Sequence, residues 1–244
     1  MAVVSQGARG RIKIEDDFGS FDPDYTWPAG GGLLGRFFLT SVNEGSFENT
    51  VDEPNGVLAI TTDTGDDDNA ALYTGPGRPA DGVMTIEARI KCDSATLTSM
   101  WVGFTETLSK TTPVMPGEFA TVTLTTNGTG GMAGMLYDPD GTADVWRAHM
   151  GDGGVGIAGT GTTGTVANDT LAADKWDVVR VELFPSGYAD CYLNGNLVKH
   201  FSTGTALTPT DLFFPCVMVE NRSAAARVLE IDYIDVEYGR KWDE

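Results

Sequence analysis

The segment from Trp176 to Phe201 constrains the fold of this chain more than any other, because it reads as three short strands joined by two tight turns. From Val179 to Leu183 every second residue is apolar, which is the period of a strand with one buried face. Pro185-Ser186-Gly187 then supplies turn residues, and Asn194-Gly195 suits a type I′ hairpin turn, which needs positive φ at both central positions. The segment therefore predicts an antiparallel meander.

Other segments repeat this strand pattern along the chain. Val83 to Lys91 alternates apolar and polar residues, and Met100 to Thr105 is apolar on both faces, as in a central buried strand. No segment has convincing helical periodicity. A chain of 244 residues is long enough to bury one large core. We therefore expect an all-β protein, an antiparallel β-sandwich formed as one domain by residues 15–244.

The meander also carries a family resemblance. Trp176, followed by V-x-V-x-L, a turn and Y-x-N-G-x-x-V, resembles the centre of the concanavalin A-like jelly rolls, the laminin G and legume-lectin-like group. Asp16 to Phe18, Asn55 to Ile60 and Ile231 to Val236 fit the outer strands of that group. The resemblance extends from about Ile12 to Glu237 and implies the jelly-roll form of the sandwich.

Charge and composition narrow the partners. The formal net charge is −19, which disfavours nucleic acids and anionic membranes. No apolar run approaches the roughly 20 residues of a membrane span. The first 18 residues lack the apolar segment of a secretory signal, so we expect synthesis and retention in the cytoplasm until release. Cys92, Cys191 and Cys216 form no CxxC motif, and we expect three free thiols.

Residues 1–14 are predicted to form an extended N-terminal arm. Arg9, Arg11 and Lys13 make this arm basic, directly before the acidic residues that follow. The arm is either a solvated terminus or a segment that docks on an acidic partner surface.

Aromatic residues are candidates for glycan binding, because sugars stack on aromatic rings beside a few polar groups. The candidates are Tyr25, Trp27 and Trp146. Tyr25 and Trp27 have an alternative role, which is to close the open end of the sandwich.

Two acidic segments have features of calcium loops. Asp138, Asp140 and Asp144 follow D-x-D-G-x-x-D spacing, but no glutamate follows in the bidentate position, and D-P-D-G also makes a hairpin turn. In Thr64 to Asn69 three adjacent aspartates point alternately to opposite sides of an extended chain, which favours a solvated loop. We therefore predict turns rather than a metal site, and no cofactor.

The sequence from Glu230 to Asp235 resembles the E-x-D-x-x-E motif of laminarinase-type hydrolases, which share the jelly roll. That resemblance implies catalytic carboxylates at Glu230, Asp232 and Asp235, about 5–5.5 Å apart in retaining enzymes. The apolar phase shifts within this strand, which predicts a bulge that turns Asp235 to the face of Glu230. However, the acid position holds an aspartate, and the motif lies in the closing strand. We expect a non-catalytic strand.

The acidic, glycine-rich sandwich resembles jelly-roll modules of tailed-phage particles. This resemblance implies a non-enzymatic virion protein, foremost a decoration (cement) protein that binds the major capsid protein or another virion protein as a homo-oligomer. The alternative is a lectin-like, carbohydrate-binding module on a tail or cell surface. A laminarinase-type glycoside hydrolase is the third hypothesis.

Overall fold

The computed structural model describes residues 3–6, 11–18, 31–50, 56–120, 123–126, 130–141, 143–152, 165–170, 172–202 and 206–239. Arg9, Tyr25 and Trp27, three of the predicted site residues, lie outside these ranges. Among the described residues, no helix has the length and apolar character needed to cross a membrane.

Nineteen strands are found in the described part of the chain. The first nine are β1 (Val3–Gln6), β2 (Arg11–Asp16), β3 (Gly31–Leu34), β4 (Phe37–Ser41), β5 (Ser46–Asn49), β6 (Leu58–Thr61), β7 (Asn69–Tyr73), β8 (Met84–Cys92) and β9 (Thr98–Thr105). The others are β10 (Gly117–Ala120), β11 (Thr123–Thr126), β12 (Met132–Tyr137), β13 (Val145–Gly151), β14 (Thr165–Thr170), β15 (Asp177–Leu183), β16 (Ala189–Leu193), β17 (Asn196–His200), β18 (Phe214–Asn221) and β19 (Val228–Gly239). A 3₁₀ turn, Pro79–Asp81, precedes β8.

The strands form two large antiparallel sheets and one hairpin. A nine-stranded sheet has the order β1-β2-β19-β8-β15-β16-β17, with β6 also paired to β19 and β5 to β6. An eight-stranded sheet has the order β14-β13-β12-β9-β18-β7-β4-β3. The hairpin of β10 and β11, called the flap below, pairs with neither sheet in the described residues. The predicted antiparallel β-sandwich is confirmed.

The main core lies between the two sheets, and the period of two residues decides which side chains enter it. In β8, Met84, Ile86, Ala88 and Ile90 are buried, while the residues between them are partly exposed. β9 supplies Met100, Val102 and Phe104 from the opposite sheet. Because apolar burial drives folding in proportion to the area removed from water, this double layer supplies most of the stability.

The predicted meander is β15, β16 and β17. Val179 pairs with Leu193, and the inward valines of β15 are fully buried. Asn194 and Gly195 both have positive φ, as the predicted hairpin turn requires. Cys191 in β16 is buried, as are Cys92 and Cys216, and all three are free thiols, as expected from the sequence.

The prediction of a separate N-terminal arm is wrong for the residues that the structure describes. β1 pairs with β2, and β2 pairs with β19, so residues 3–6 and 11–14 are part of the nine-stranded sheet rather than a separate arm. The predicted boundary after residue 14 therefore falls inside β2. The physical reason is that Ile12 and Ile14 alternate with charged residues, so one face of β2 packs on the core while Arg11 and Lys13 face outward.

The predicted bulge is present in β19. The register between β19 and β8 shifts between Ile231 and Tyr233, which leaves Asp232 as the extra residue. Ile231, Ile234 and Val236 are all buried on the inner side despite the change of phase.

We predict that Ile234→Ala lowers the free energy of unfolding by about 2–5 kcal/mol, because truncation leaves a cavity in the core. Leu33→Ala is the control, since Leu33 is 76% exposed and its change should stay within about 0.5 kcal/mol. Denaturant unfolding of both variants measures the difference. Equal, small effects would contradict the inward orientation of β19.

Candidate functional site

The acidic side chains of β19 face outward from the nine-stranded sheet, and their carboxylates are paired with cations. The ion pairs join Lys91 Nζ to Glu230 at 2.7 Å, Arg89 Nη1 to Asp232 at 2.6 Å and Lys13 Nζ to Asp235 at 3.1 Å. Burial raises the pKa of Asp235, and the hydrogen bond from Lys13 opposes that rise. The three candidate carboxylates therefore share a face, as the bulge predicted, but each is held by its own partner.

Glu230 and Asp235 are each engaged by a different lysine, Glu230 by Lys91 and Asp235 by Lys13. Glu230 lies opposite Lys91 and Asp235 lies opposite Glu87, four residues apart along β8. At about 3.3 Å per residue their backbone positions are roughly 13 Å apart, so the side chains would have to lean towards each other to reach the distance of about 5–5.5 Å in a retaining pair. Each side chain instead contacts its own lysine.

The predicted calcium spacing at Asp138 forms a turn. Asp138 is buried, and its carboxylate accepts hydrogen bonds from the backbone N–H of Asp140 at 3.0 Å and of Phe119 at 2.7 Å. The Gly141 N–H donates to the carbonyl of Asp138 at 3.1 Å, while Asp144 is exposed on the loop before β13. The three aspartates therefore do not converge on one point, and Asp138 organises the hairpin between β12 and β13.

A buried arginine brings together carboxylates that the sequence analysis did not connect. The guanidinium of Arg222 lies within 4 Å of four carboxylates: Glu220 at 2.8 Å, Asp138 at 2.6 Å, Asp67 at 3.0 Å and Glu118 at 3.5 Å. Asp67 comes from the acidic loop after β6 and Glu118 from the flap. We call this group the Arg222 cluster. Glu220 and Arg222 are two residues apart near the end of β18, a spacing that could have indicated a shared face.

We predict that Glu220 makes folding pH-dependent. Burial raises the pKa of Glu220 to about 8, although Arg222 opposes the rise. The folded chain then holds a proton that the unfolded chain has lost above about pH 4.5, so stability falls as pH rises from about 5 to 8. Glu220→Gln should flatten this fall, while three carboxylates still neutralise Arg222. Urea unfolding of the wild type and of Glu220→Gln at pH 5, 6, 7 and 8 tests this prediction. If the free energy of unfolding changes equally with pH in both proteins, the prediction is wrong.

Trp146 is in the wrong place for the predicted stacking on a sugar. Its side chain is fully buried in the main core, where its ring centre lies 5.8 Å from that of Tyr137. The indole N–H donates to Asp177 Oδ2 at 3.2 Å. Trp146 alternates along β13 with Arg147, which faces away from the main core, so the strand directs the tryptophan inward.

The outer face of the eight-stranded sheet is covered by the flap. A second apolar cluster lies there, with Trp101 of β9, Leu136 of β12 and Met218 of β18 beneath Phe119 of the flap. The backbone bond from Phe119 to Asp138 and the ion pair from Glu118 to Arg222 tie the flap to the sheet. This face therefore does not present an open groove at these residues.

An open pocket, called the Tyr192 pocket below, lies on the outer face of the nine-stranded sheet. It has a volume of about 600 Å³ and is lined by Glu87, Val178, Arg180, Glu182, Tyr192, Asn194 and Gly195. Arg180, Glu87 and Tyr192 occupy one cross-strand row of β15, β8 and β16. The guanidinium of Arg180 lies 5.8 Å from the centre of the Tyr192 ring and pairs with Glu182. The pocket thus combines an aromatic ring with hydrogen-bond donors and acceptors, and sequence reasoning missed it because its residues come from several strands.

Solved structures resemble this architecture over nearly its whole length. A protein of unknown function from Shewanella oneidensis MR-1 aligns with a TM-score of 0.60 and 14% identity, covering 100% of this chain and 94% of that one. The potassium-bound carbohydrate recognition domain of Emp46p aligns with a TM-score of 0.56 and 11% identity, covering 89% and 98%. The fold is the concanavalin A-like jelly roll.

This jelly roll also resembles a LamA variant from Z. galactanivorans in complex with laminaritriose and laminaritetraose. That alignment has a TM-score of 0.54 and 12% identity and covers 92% of this chain and 97% of that one. No family model and no curated protein sequence matches the chain. At these identities the likenesses establish the fold alone, and a fold does not determine a function.

Proposed function

We propose that this protein is a non-enzymatic carbohydrate-binding jelly roll whose ligand occupies the pocket beside Tyr192. The observation that carries the proposal is the pocket itself, in which one aromatic ring is surrounded by charged and amide side chains. Ligand sites typically combine apolar or aromatic surface with a few placed polar groups, in volumes of about 300–1,000 Å³. A sugar presents an apolar ring face and hydroxyl groups that both donate and accept hydrogen bonds.

The polar groups of the pocket are already oriented by the sheet. Tyr233 Oη donates to Glu87 at 2.8 Å, and Tyr192 Oη donates to Asp190 at 3.4 Å. Asn194 accepts from the backbone N–H of Val178 at 2.8 Å, which fixes the hairpin turn at the edge of the pocket. A ligand that meets side chains held in this way loses less entropy on binding. The carbohydrate recognition domain of Emp46p, with the same fold, supports the ligand class proposed.

We predict saturable binding on a glycan array that Tyr192→Ala abolishes, because the variant removes the stacking ring. Tyr192→Phe should keep most of the binding, since it loses only the hydroxyl contact with Asp190. Leu33→Ala, an exposed apolar truncation on the other sheet, is the matched control and should bind as the wild type does. A blank array for the wild type, or undiminished binding by Tyr192→Ala, would refute this site.

A structural role in a tailed-phage particle is the second candidate, with the protein as a capsid decoration protein in the virion. One observation favours it: β17 is the end strand of the nine-stranded sheet in the described residues, and Leu197 on it is 53% exposed. Strand edges of this kind can pair with another chain, either a second copy or a shell protein. Carbohydrate binding and a place on a particle are compatible.

We predict that the protein is recovered from purified particles at a fixed ratio to the shell protein, and that Leu197→Lys reduces this ratio. A lysine on an edge strand opposes strand pairing. Deleting residues 1–14 would be a poor test, because it removes β1 and four of the six residues of β2. Absence from washed particles would exclude the virion role and leave the glycan proposal unaffected.

A further inference from the structure

Two basic side chains are buried beneath the flap without the partners that such groups normally have. Arg147 and His149 occupy the outward positions of β13 and are 6% and 1% exposed. The guanidinium carbon of Arg147 lies 4.8 Å from the centre of the Phe119 ring, and the His149 ring centre lies 6.0 Å from it. One flap residue therefore covers both basic groups.

The hydrogen-bonding capacity of these two residues is largely unused. Arg147 Nη2 donates to the carbonyl of Ala143 at 2.8 Å, but Nη1 has no partner among the described residues. Neither ring nitrogen of His149 has one there. Each buried donor or acceptor left without a partner costs about 1–3 kcal/mol. Such groups are few in native proteins, and a concentration of them calls for an explanation.

The Arg222 cluster shows how this chain neutralises a buried guanidinium when the role is structural. Arg222 contacts four carboxyl groups, whereas Arg147 has none within ion-pair distance in the described part of the chain. Asp138 and Asp144 act on Arg147 only from farther away. Burial lowers the pKa of Arg147 and, together with Arg147, lowers that of His149 to about 3. The closed protein therefore holds one guanidinium without a contacting anion beside one neutral imidazole.

The flap is a separate element that can move without breaking either large sheet. In the described residues β10 and β11 pair only with each other. Their polar links to the sheet include the Phe119 N–H to Asp138 and Glu118 to Arg222, and the second link spans 3.5 Å. Segments held by few contacts open at lower free energy than the sheets they cover.

We propose that Arg147 and His149 form a binding site for a small oxyanion, a carboxylate or a sulfate, which enters when the flap lifts Phe119. The two side chains lie two residues apart on one strand face, about 6.6 Å along the strand. The planar fork of a guanidinium matches a carboxylate or sulfate through paired N–H bonds. His149 adds one N–H donor even when neutral.

The wall beside this site suits an anion carried on a sugar-sized body. Leu136 lies opposite Arg147 and Gly134 opposite His149 in the register of β12 and β13. The Trp101 ring lies over Gly134, so close that a Cβ there would be 2.4 Å from a ring carbon. A uronic acid or a sulfated sugar would place its anion on Arg147 and its ring near Trp101. The site of Arg147 and His149 lies on the eight-stranded sheet, whereas the Tyr192 pocket lies on the nine-stranded sheet, so the two proposals are independent.

The test is calorimetric titration of the full chain with sodium glucuronate, glucose 6-sulfate, inorganic sulfate and, as the neutral control, glucose, repeated on Tyr192→Ala to remove binding in the Tyr192 pocket. In Tyr192→Ala we expect both charged sugars to bind and glucose not to bind, and the outcomes below refer to that variant. Glucuronate binding alone would identify a carboxylate site, and glucose 6-sulfate binding alone a sulfate site. Binding of inorganic sulfate as tight as that of glucose 6-sulfate would mean that the sugar body adds nothing. Glucose binding as tightly as glucuronate would overturn the assignment of an anion.

Variants separate this site from a purely structural role. Arg147→Met should weaken binding at least about tenfold, the loss expected for a charge-assisted hydrogen bond, with thermal stability unchanged or raised because a buried charge that no carboxylate contacts is removed. Arg36→Met, on an exposed arginine, is the matched control and should change neither property. Glu118→Gln should strengthen binding about threefold by loosening the flap. If neither wild type nor Glu118→Gln binds a charged sugar, or Arg147→Met binds as the wild type does, the proposal is wrong.

Discussion

The apolar contact between the two sheets is the interaction on which the rest of this structure depends. Inward side chains of β8 and β15 from one sheet meet those of β9 and β12 from the other, and nearly all are fully buried. Because side chains alternate along a strand, this inner layer also fixes what each outer face displays. The outward row of β15, with Val178, Arg180 and Glu182, lines the Tyr192 pocket, and the outward row of β13 supplies the buried pair beneath the flap.

Charged side chains are arranged differently on the outer faces of the two sheets. On the nine-stranded sheet, acids and bases alternate across strands as half-exposed ion pairs, such as Lys13 with Asp235. Exposed pairs of this kind contribute little to stability, but they leave the face wet and open. On the eight-stranded sheet the flap buries Arg147 and His149, so a charge there needs a partner. Arg222 has four carboxyl groups within 4 Å, and Arg147 has none at that distance among the described residues. That contrast separates a structural charge from a candidate ligand contact.

Features that depend on neighbouring residues could be predicted from the sequence, and features that depend on distant ones could not. The meander, the turn at Asn194 and the bulge at Asp232 follow from local period and turn chemistry, and all are present. Trp146 was misplaced because β13 is covered on both faces, so burial gives no alternating pattern to show which way the ring points. The Arg222 cluster joins four segments of the chain, and the Tyr192 pocket joins three strands. No local sequence spacing therefore indicates either site.

The burial of the three cysteines determines how this fold responds to reducing and oxidising conditions. Each is buried, and burial raises the pKa of all three thiols, that of Cys92 to about 12. Thiolates are the species that react with oxidants and disulfides, so these side chains are poor substrates for either. The jelly roll carries no covalent crosslink to lose under reducing conditions and no accessible thiolate to gain one under oxidising conditions. A passage between a reducing and an oxidising environment should therefore leave these three thiols unchanged in the folded chain.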